Sequence, residues 1–176
     1  DIWIMIHRFN ADEYLAYKLT ENGLDTIPII NNIGSYYSDC GRWGMKFSPN
    51  GKKAVVNKNY FLFNSTKPDT IELYKFNNHT GVLSDLIEIG VDTALAGKEF
   101  SQENNFLYTF ELKTIITLTL PVVYQYNLSE WDKAFILNSK TYIGSYFFPT
   151  PDLHLTPLNT ILMTGEYSDS IGVIEY

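Results

Sequence analysis

Phe47-Ser48-Pro49-Asn50-Gly51-Lys52-Lys53-Ala54-Val55-Val56 is the stretch whose reading decides the fold. An apolar residue and a serine lead into Pro-Asn-Gly, the residues that favour a tight turn, and an apolar run follows. The segment therefore reads as two antiparallel strands joined by a hairpin. It returns 53 residues later as Phe100-Ser101-Gln102-Glu103-Asn104-Asn105-Phe106-Leu107-Tyr108-Thr109, without the Pro and Gly. After 55 more residues it returns as Leu155-Thr156-Pro157-Leu158-Asn159-Thr160-Ile161-Leu162-Met163-Thr164, without the Gly. A second element alternates with the first. Tyr17-Lys18-Leu19-Thr20-Glu21-Asn22-Gly23-Leu24 matches Tyr74-Lys75-Phe76-Asn77-Asn78-His79-Thr80-Gly81-Val82, and Tyr124-Gln125-Tyr126-Asn127-Leu128-Ser129 begins the same way, at spacings of 57 and 50 residues. A further short strand is expected after each, over 27–33, 86–89 and 133–137.

Four antiparallel strands recurring with a period of roughly 50 residues are the sequence signature of a β-propeller blade. The expected architecture is all-β: a propeller segment of about three four-stranded blades. Residues 14–33 form a half blade, 44–89 and 96–143 form blades, and 153–176 form a partial one. Residues 12–17 resemble the start of a helix, yet their place in the repeat argues for strand. Closed propellers use about 4 to 8 blades, so the segment reads as an incomplete part of a longer ring. Further blades of the same polypeptide or a second copy would complete it, because an open arc exposes strand edges and apolar faces. The start at Asp1 and the end at Tyr176, inside an expected strand, suggest a piece of a longer chain.

Composition narrows the function. Of 176 residues 45% are apolar and 19% charged, enough to bury a core without other support. Thirteen Tyr, eleven Phe and three Trp suit pleated, half-buried surfaces. A net charge of -7 repels phosphate backbones and anionic lipid, which disfavours nucleic-acid and membrane-surface binding. The single Cys40 makes neither an internal disulfide nor a zinc site. The longest apolar candidate for a membrane span, 115–124, is interrupted by Thr117, Thr119 and Pro121 and is too short.

Tyr17 to Leu24, Gly44-Met45-Lys46-Phe47-Ser48-Pro49-Asn50-Gly51-Lys52-Lys53, Ile71-Glu72-Leu73-Tyr74-Lys75-Phe76, the Thr80-Gly81 turn and Gly172-Val173-Ile174 carry a resemblance. Together, over roughly 14–176, they resemble the WD40-like β-propeller region of large secreted Bacteroidota surface proteins that end in a gliding-motility-associated, type IX secretion sorting domain. The resemblance implies an exported, extracellular or cell-surface protein in which the propeller is one module. The turn motif also occurs in lactonase-like and Tol-associated propellers.

Signatures of catalysis are missing from the sequence. No Gly-x-Ser-x-Gly elbow, dinucleotide fingerprint or phosphate-cradling loop occurs, and Cys40 has no recognisable base. Of the three histidines, His79 lies in a polar turn and reads as solvated, whereas His154, beside an expected innermost strand, is a candidate for reaching the channel. No metal-ligand spacing surrounds it, so no metal or other cofactor is assigned, although scattered carboxylates and carbonyls would suffice for calcium. The inter-blade connections are the stronger candidates, since loops meeting on one face carry function by position. The first holds Tyr36, Tyr37, Asp39, Arg42 and Trp43 and the third holds Phe147, aromatic and guanidinium groups of the kind that dominate binding hot spots. The expectation is a non-catalytic binding or structural module recognising a protein or glycan, with Tyr36, Tyr37, Asp39, Arg42, Trp43, Phe147 and His154 as ligand contacts. The alternative is a lactonase-like or other hydrolytic propeller with a divalent metal in its channel.

Overall fold

The computed structural model describes residues 2–37, 44–58, 69–91, 94–115, 118–145, 152–164 and 171–174. It is all-β, built from antiparallel sheets that follow one another along the chain. The first sheet contains β1 (Ile2–His7), β2 (Ala11–Thr20), β3 (Gly23–Leu24) and β4 (Ile29–Tyr37), with β1, β3 and β4 all pairing β2. The second runs in order through β5 (Met45–Phe47), β6 (Lys53–Lys58), β7 (Asp69–Asn77) and β8 (Val82–Val91). The third comprises β9 (Ala94–Phe100), β10 (Phe106–Ile115), β11 (Leu118–Asn127) and β12 (Thr141–Ser145). The fourth is β13 (Asp152–Leu155), β14 (Ile161–Thr164) and β15 (Gly172–Ile174). Four-stranded antiparallel sheets are thus present where the repeat places them.

The three turns share one geometry in spite of their differing sequences. Ser48 N–H donates to the Lys53 carbonyl at 2.9 Å, Ser101 N–H to Phe106 at 3.0 Å and Thr156 N–H to Thr160 at 2.8 Å. The hydroxyl of the same residue accepts the returning amide, from Lys53 at 2.9 Å, Phe106 at 3.1 Å and Thr160 at 3.4 Å. This is why Ser or Thr recurs there. Three residues on, the chain needs a left-handed conformation, which Gly51 adopts at φ 63°, Asn104 at 66° and Asn159 at 61°. Asparagine tolerates that region better than other side-chain-bearing residues, so the missing glycines cost little.

Strand alternation sends neighbouring residues to opposite faces, and here both faces are apolar. In the second sheet Ala54, Val56, Tyr74, Phe76 and Leu83 pack toward the first sheet, joined by its Trp3, Met5, Tyr14 and Ile33. Val55, Ile71, Leu73, Ile87 and Ile89 pack the other way, onto Phe100, Leu107 and Tyr126 of the third. The third sheet's Tyr108, Phe110 and Val123 meet Leu153, Ile161, Met163 and Ile174 of the fourth. The sheets therefore stack face to face, and the turns touch as well: Asn50 N–H donates to Asn104 Oδ1 at 2.9 Å.

Two expectations need correction. The first sheet begins at Ile2 rather than in the region of Tyr14, because β1 pairs with β2 along its whole length. Residues 133–137 are not a strand but lie in the helix α1 (Lys133–Asn138). Asp132 caps it by accepting the Phe135 amide at 2.8 Å, Ser139 closes its last turn, and a single residue, Ile136, is fully buried. The third sheet's last strand comes after this helix.

Asn104 tests the turn argument. Replacing it with Ala loses both left-handed tolerance and the bond from Asn50, and is expected to cost roughly 1–2 kcal/mol in urea denaturation. Asn104→Gly, which loses the side-chain bonds with Asn50 and Gln102 but keeps the left-handed tolerance, should cost clearly less.

Candidate functional site

The strands β5, β9 and β13 each open a sheet and form its edge, and the stacking brings these edges together. Lys46, on β5, projects toward the third sheet and donates to Glu99 Oε2 on β9 at 2.9 Å. The same ammonium reaches the Leu153 carbonyl on β13, with Asp152 Oδ1 at 3.7 Å. Glu99 Oε2 also accepts the Leu155 amide at 3.2 Å, and its Oε1 accepts the Phe100 amide at 3.0 Å. One lysine and one glutamate thereby tie three sheets together. His154 Nε2 lies 3.3 Å from Asp152 Oδ2, since residues two apart on a strand share a face.

Lys98 is the group in this cluster held by no close polar contact. It is 6% exposed, and among the described residues its ammonium has no hydrogen-bond or ion-pair partner. Gly44 lies beside it, where an added Cβ would stand 3.8 Å from Nζ. Burial, helped by the like charge of Lys46, pulls the amine down to about 8 against the opposing pull of Asp152 and Glu99.

Two further buried polar groups are tied within single sheets. Tyr74 donates to Glu72 Oε2 at 2.6 Å, and burial with the neighbouring Tyr14 and Glu72 pushes its phenol far up. Glu111 accepts from Tyr126 at 3.1 Å and Thr109 at 3.2 Å, and pairs with Lys140 at 2.9 Å. Lys140 Nζ also sits 4.0 Å from the Tyr124 ring centre, a cation–π contact. These groups brace the second and third sheets internally.

Of the residues singled out from sequence, Tyr36 lies near the end of β4 and is 58% exposed, while Tyr37 pairs with Ala11 at that strand's last position. Asp39, Arg42, Trp43 and Phe147 lie outside the described residues. His154 is half exposed on the face of β13 turned away from the third sheet, and a carboxylate does accompany it, Asp152. The connections nonetheless lead to the cluster: the first re-enters the described chain at Gly44, beside Lys98, and the third at Asp152. Lys46, Lys98, Glu99 and Asp152 were not found from sequence. Part of the signal was available, since Lys46, Glu99 and His154 each stand directly before the apolar–Ser/Thr pair that opens the turn. Among the described residues no group of three or more His, Cys, Asp and Glu is arranged to hold a metal ion, and no helix is long and apolar enough to cross a membrane.

No family model matches the chain, and no curated protein matches it. Among solved structures, the chain is similar to a functionally unknown protein from Desulfotomaculum acetoxidans DSM 771, with a TM-score of 0.52 and 14% identity. That match covers 97% of this chain and 50% of the other, so this chain spans about half its length. Kuenenia stuttgartiensis hydrazine synthase matches at a TM-score of 0.43 and 9% identity, over 92% of this chain and 58% of the other. The likeness to the first supports the all-β sheet arrangement and carries no function.

The low amine of Lys98 makes stability depend on pH. Its ammonium is disfavoured in the folded chain, so the penalty is full below about pH 8 and is relieved as pH rises toward the unfolded value near 10.5. That difference amounts to roughly 3 kcal/mol. Lys98→Met should therefore raise the unfolding free energy at pH 7, with its advantage shrinking toward pH 10, as read by urea denaturation across that range.

Proposed function

We propose that the chain is an arc of a β-propeller acting as a non-catalytic binding or structural module of an exported bacterial cell-surface protein. The repeat, the shared turn geometry and the face-to-face sheets support the propeller arc. The resemblance of the turn and strand motifs supports the exported setting. Fold alone does not assign a ligand, so the binding role is argued from the site.

One observation carries that role. Two inter-sheet connections deliver the chain to the place where three edge strands converge, and a nine-tenths-buried ammonium, Lys98, stands there with no hydrogen bond or close ion pair among the described residues, the carboxylates of Glu99 and Asp152 attracting it only at longer range. A buried unpaired charge is costly to keep, and a site that binds an anionic group recovers the cost when it is occupied. The ligand is accordingly a protein or glycan that presents a carboxylate to Lys98. Tyr36, exposed near the end of β4, supplies apolar contact. Lys46, already held by Glu99, positions the strands instead of meeting the ligand.

Biolayer interferometry against matched panels of carboxylated and neutral glycans and peptides tests this. Binding to carboxylated members is expected, with Lys98→Met weakening it by about 10-fold, or 1.4 kcal/mol. Equal binding by the variant, or no preference for the carboxylate, overturns the assignment.

A further inference from the structure

The first sheet turns one face to the second sheet and the other to solvent. Trp3, Met5 and Tyr14 lie on the covered face. On the opposite face β1 presents Ile2, Ile4 and Ile6, exposed at 63%, 39% and 50%, with Leu24 at 49% and Ile30 at 51%. Register gathers them into one surface, with Ile4 beside Tyr17, Ile6 beside Leu15 and Ile30, and Ile2 beside Leu19 and Leu24. Contiguous exposed apolar side chains of this kind mark an interaction surface.

The repeat indicates what covers it. Tyr17 and Leu19 occupy the positions of Tyr74 and Phe76 in the second sheet and of Tyr124 and Tyr126 in the third. Tyr74 is 0% and Phe76 6% exposed, packed toward the first sheet, and Tyr126 is 0% exposed, packed toward the second. At each joint this front face is covered by the rear face of the preceding sheet. The fourth sheet has the rear face left over: His154, Leu162 and Val173 form one cross-strand row on it, away from the third sheet, and Val173 is 48% exposed. Among the described residues the chain thus carries both halves of a joint that it does not make with itself.

We propose that the front face of the first sheet docks on the rear face of the fourth sheet of a second copy, so that two identical joints close a twofold dimer of eight sheets. The proposal rests on the propeller-arc reading and adds its partner. Eight sheets fall within the range in which propellers close, and two reciprocal joints about a twofold axis leave neither face exposed.

Sedimentation equilibrium of the purified chain up to about 100 µM is expected to give twice the 20.2 kDa chain mass. Ile4→Lys and Val173→Lys alter exposed positions on the two faces and should each give a folded monomer by circular dichroism. Mixed in equal amounts they should regain a dimer, because one joint in the mixed pair keeps both native faces. A monomeric wild type, a ladder of larger species, or a Val173→Lys protein that stays dimeric overturns the proposal. The arc reading is checked separately by a double-mutant cycle between Leu73→Ala and Leu107→Ala, which share the core between the second and third sheets. Coupling with a monomeric wild type overturns the dimer alone, whereas absence of coupling overturns the arc as well.

Discussion

Burial on both faces of the same sheet is the constraint from which the rest of the structure follows. An antiparallel sheet usually keeps one side for water and alternates accordingly. Here consecutive residues are buried, Ala54 to Val56 and Ile71 to Tyr74 in the second sheet and Leu107 to Phe110 in the third. Each run divides its side chains between two neighbours. Such a sheet is stable only when sandwiched, so it must stack, and stacking sets the leading edges of successive sheets side by side. The charged cluster around Lys46 is a consequence of that packing.

The polar groups enclosed by the stack are of two kinds. Glu72 and Glu111 lie deep among aromatic rings but are held by phenols, a hydroxyl or a lysine, as a buried carboxylate requires. Lys53 spans the second and third sheets, donating to the Asn104 carbonyl at 2.7 Å and to that of Leu128 at 3.1 Å, and burial lowers its pKa. Among the described residues Lys98 has no such close partner, only the longer-range attraction of Asp152 and Glu99, and that sets its position apart from the framework.

The fold was legible wherever a backbone requirement wrote itself into single residues. The turn demands a hydroxyl and, three residues on, a left-handed conformation, so Ser48, Ser101 and Thr156 announce themselves even where asparagine replaces glycine. Residues 133–137 were misread because their apolar content suits either strand or helix, and the decision rests on Asp132 and Ser139, which lie outside the window. The cluster was not legible as a whole. Lys46, Lys98 and Asp152 come from three sheets, and their meeting is a property of the stacking. Composition near one another in the chain drew attention to Tyr36 and His154 instead.

The helix α1 has a consequence for the order in which similar parts assemble. Several sheets cut to one pattern invite the wrong neighbours to pair during folding, a familiar failure of repetitive chains. Ahead of α1, Trp131 donates to the Asp85 carbonyl at 2.7 Å, and Ile136 inserts among the side chains shared by the second and third sheets. Among the described residues no other sheet carries a helix at the corresponding place. It works as a key cut for one lock, letting the chain distinguish its correct arrangement from a shuffled one that would satisfy the apolar pattern almost as well.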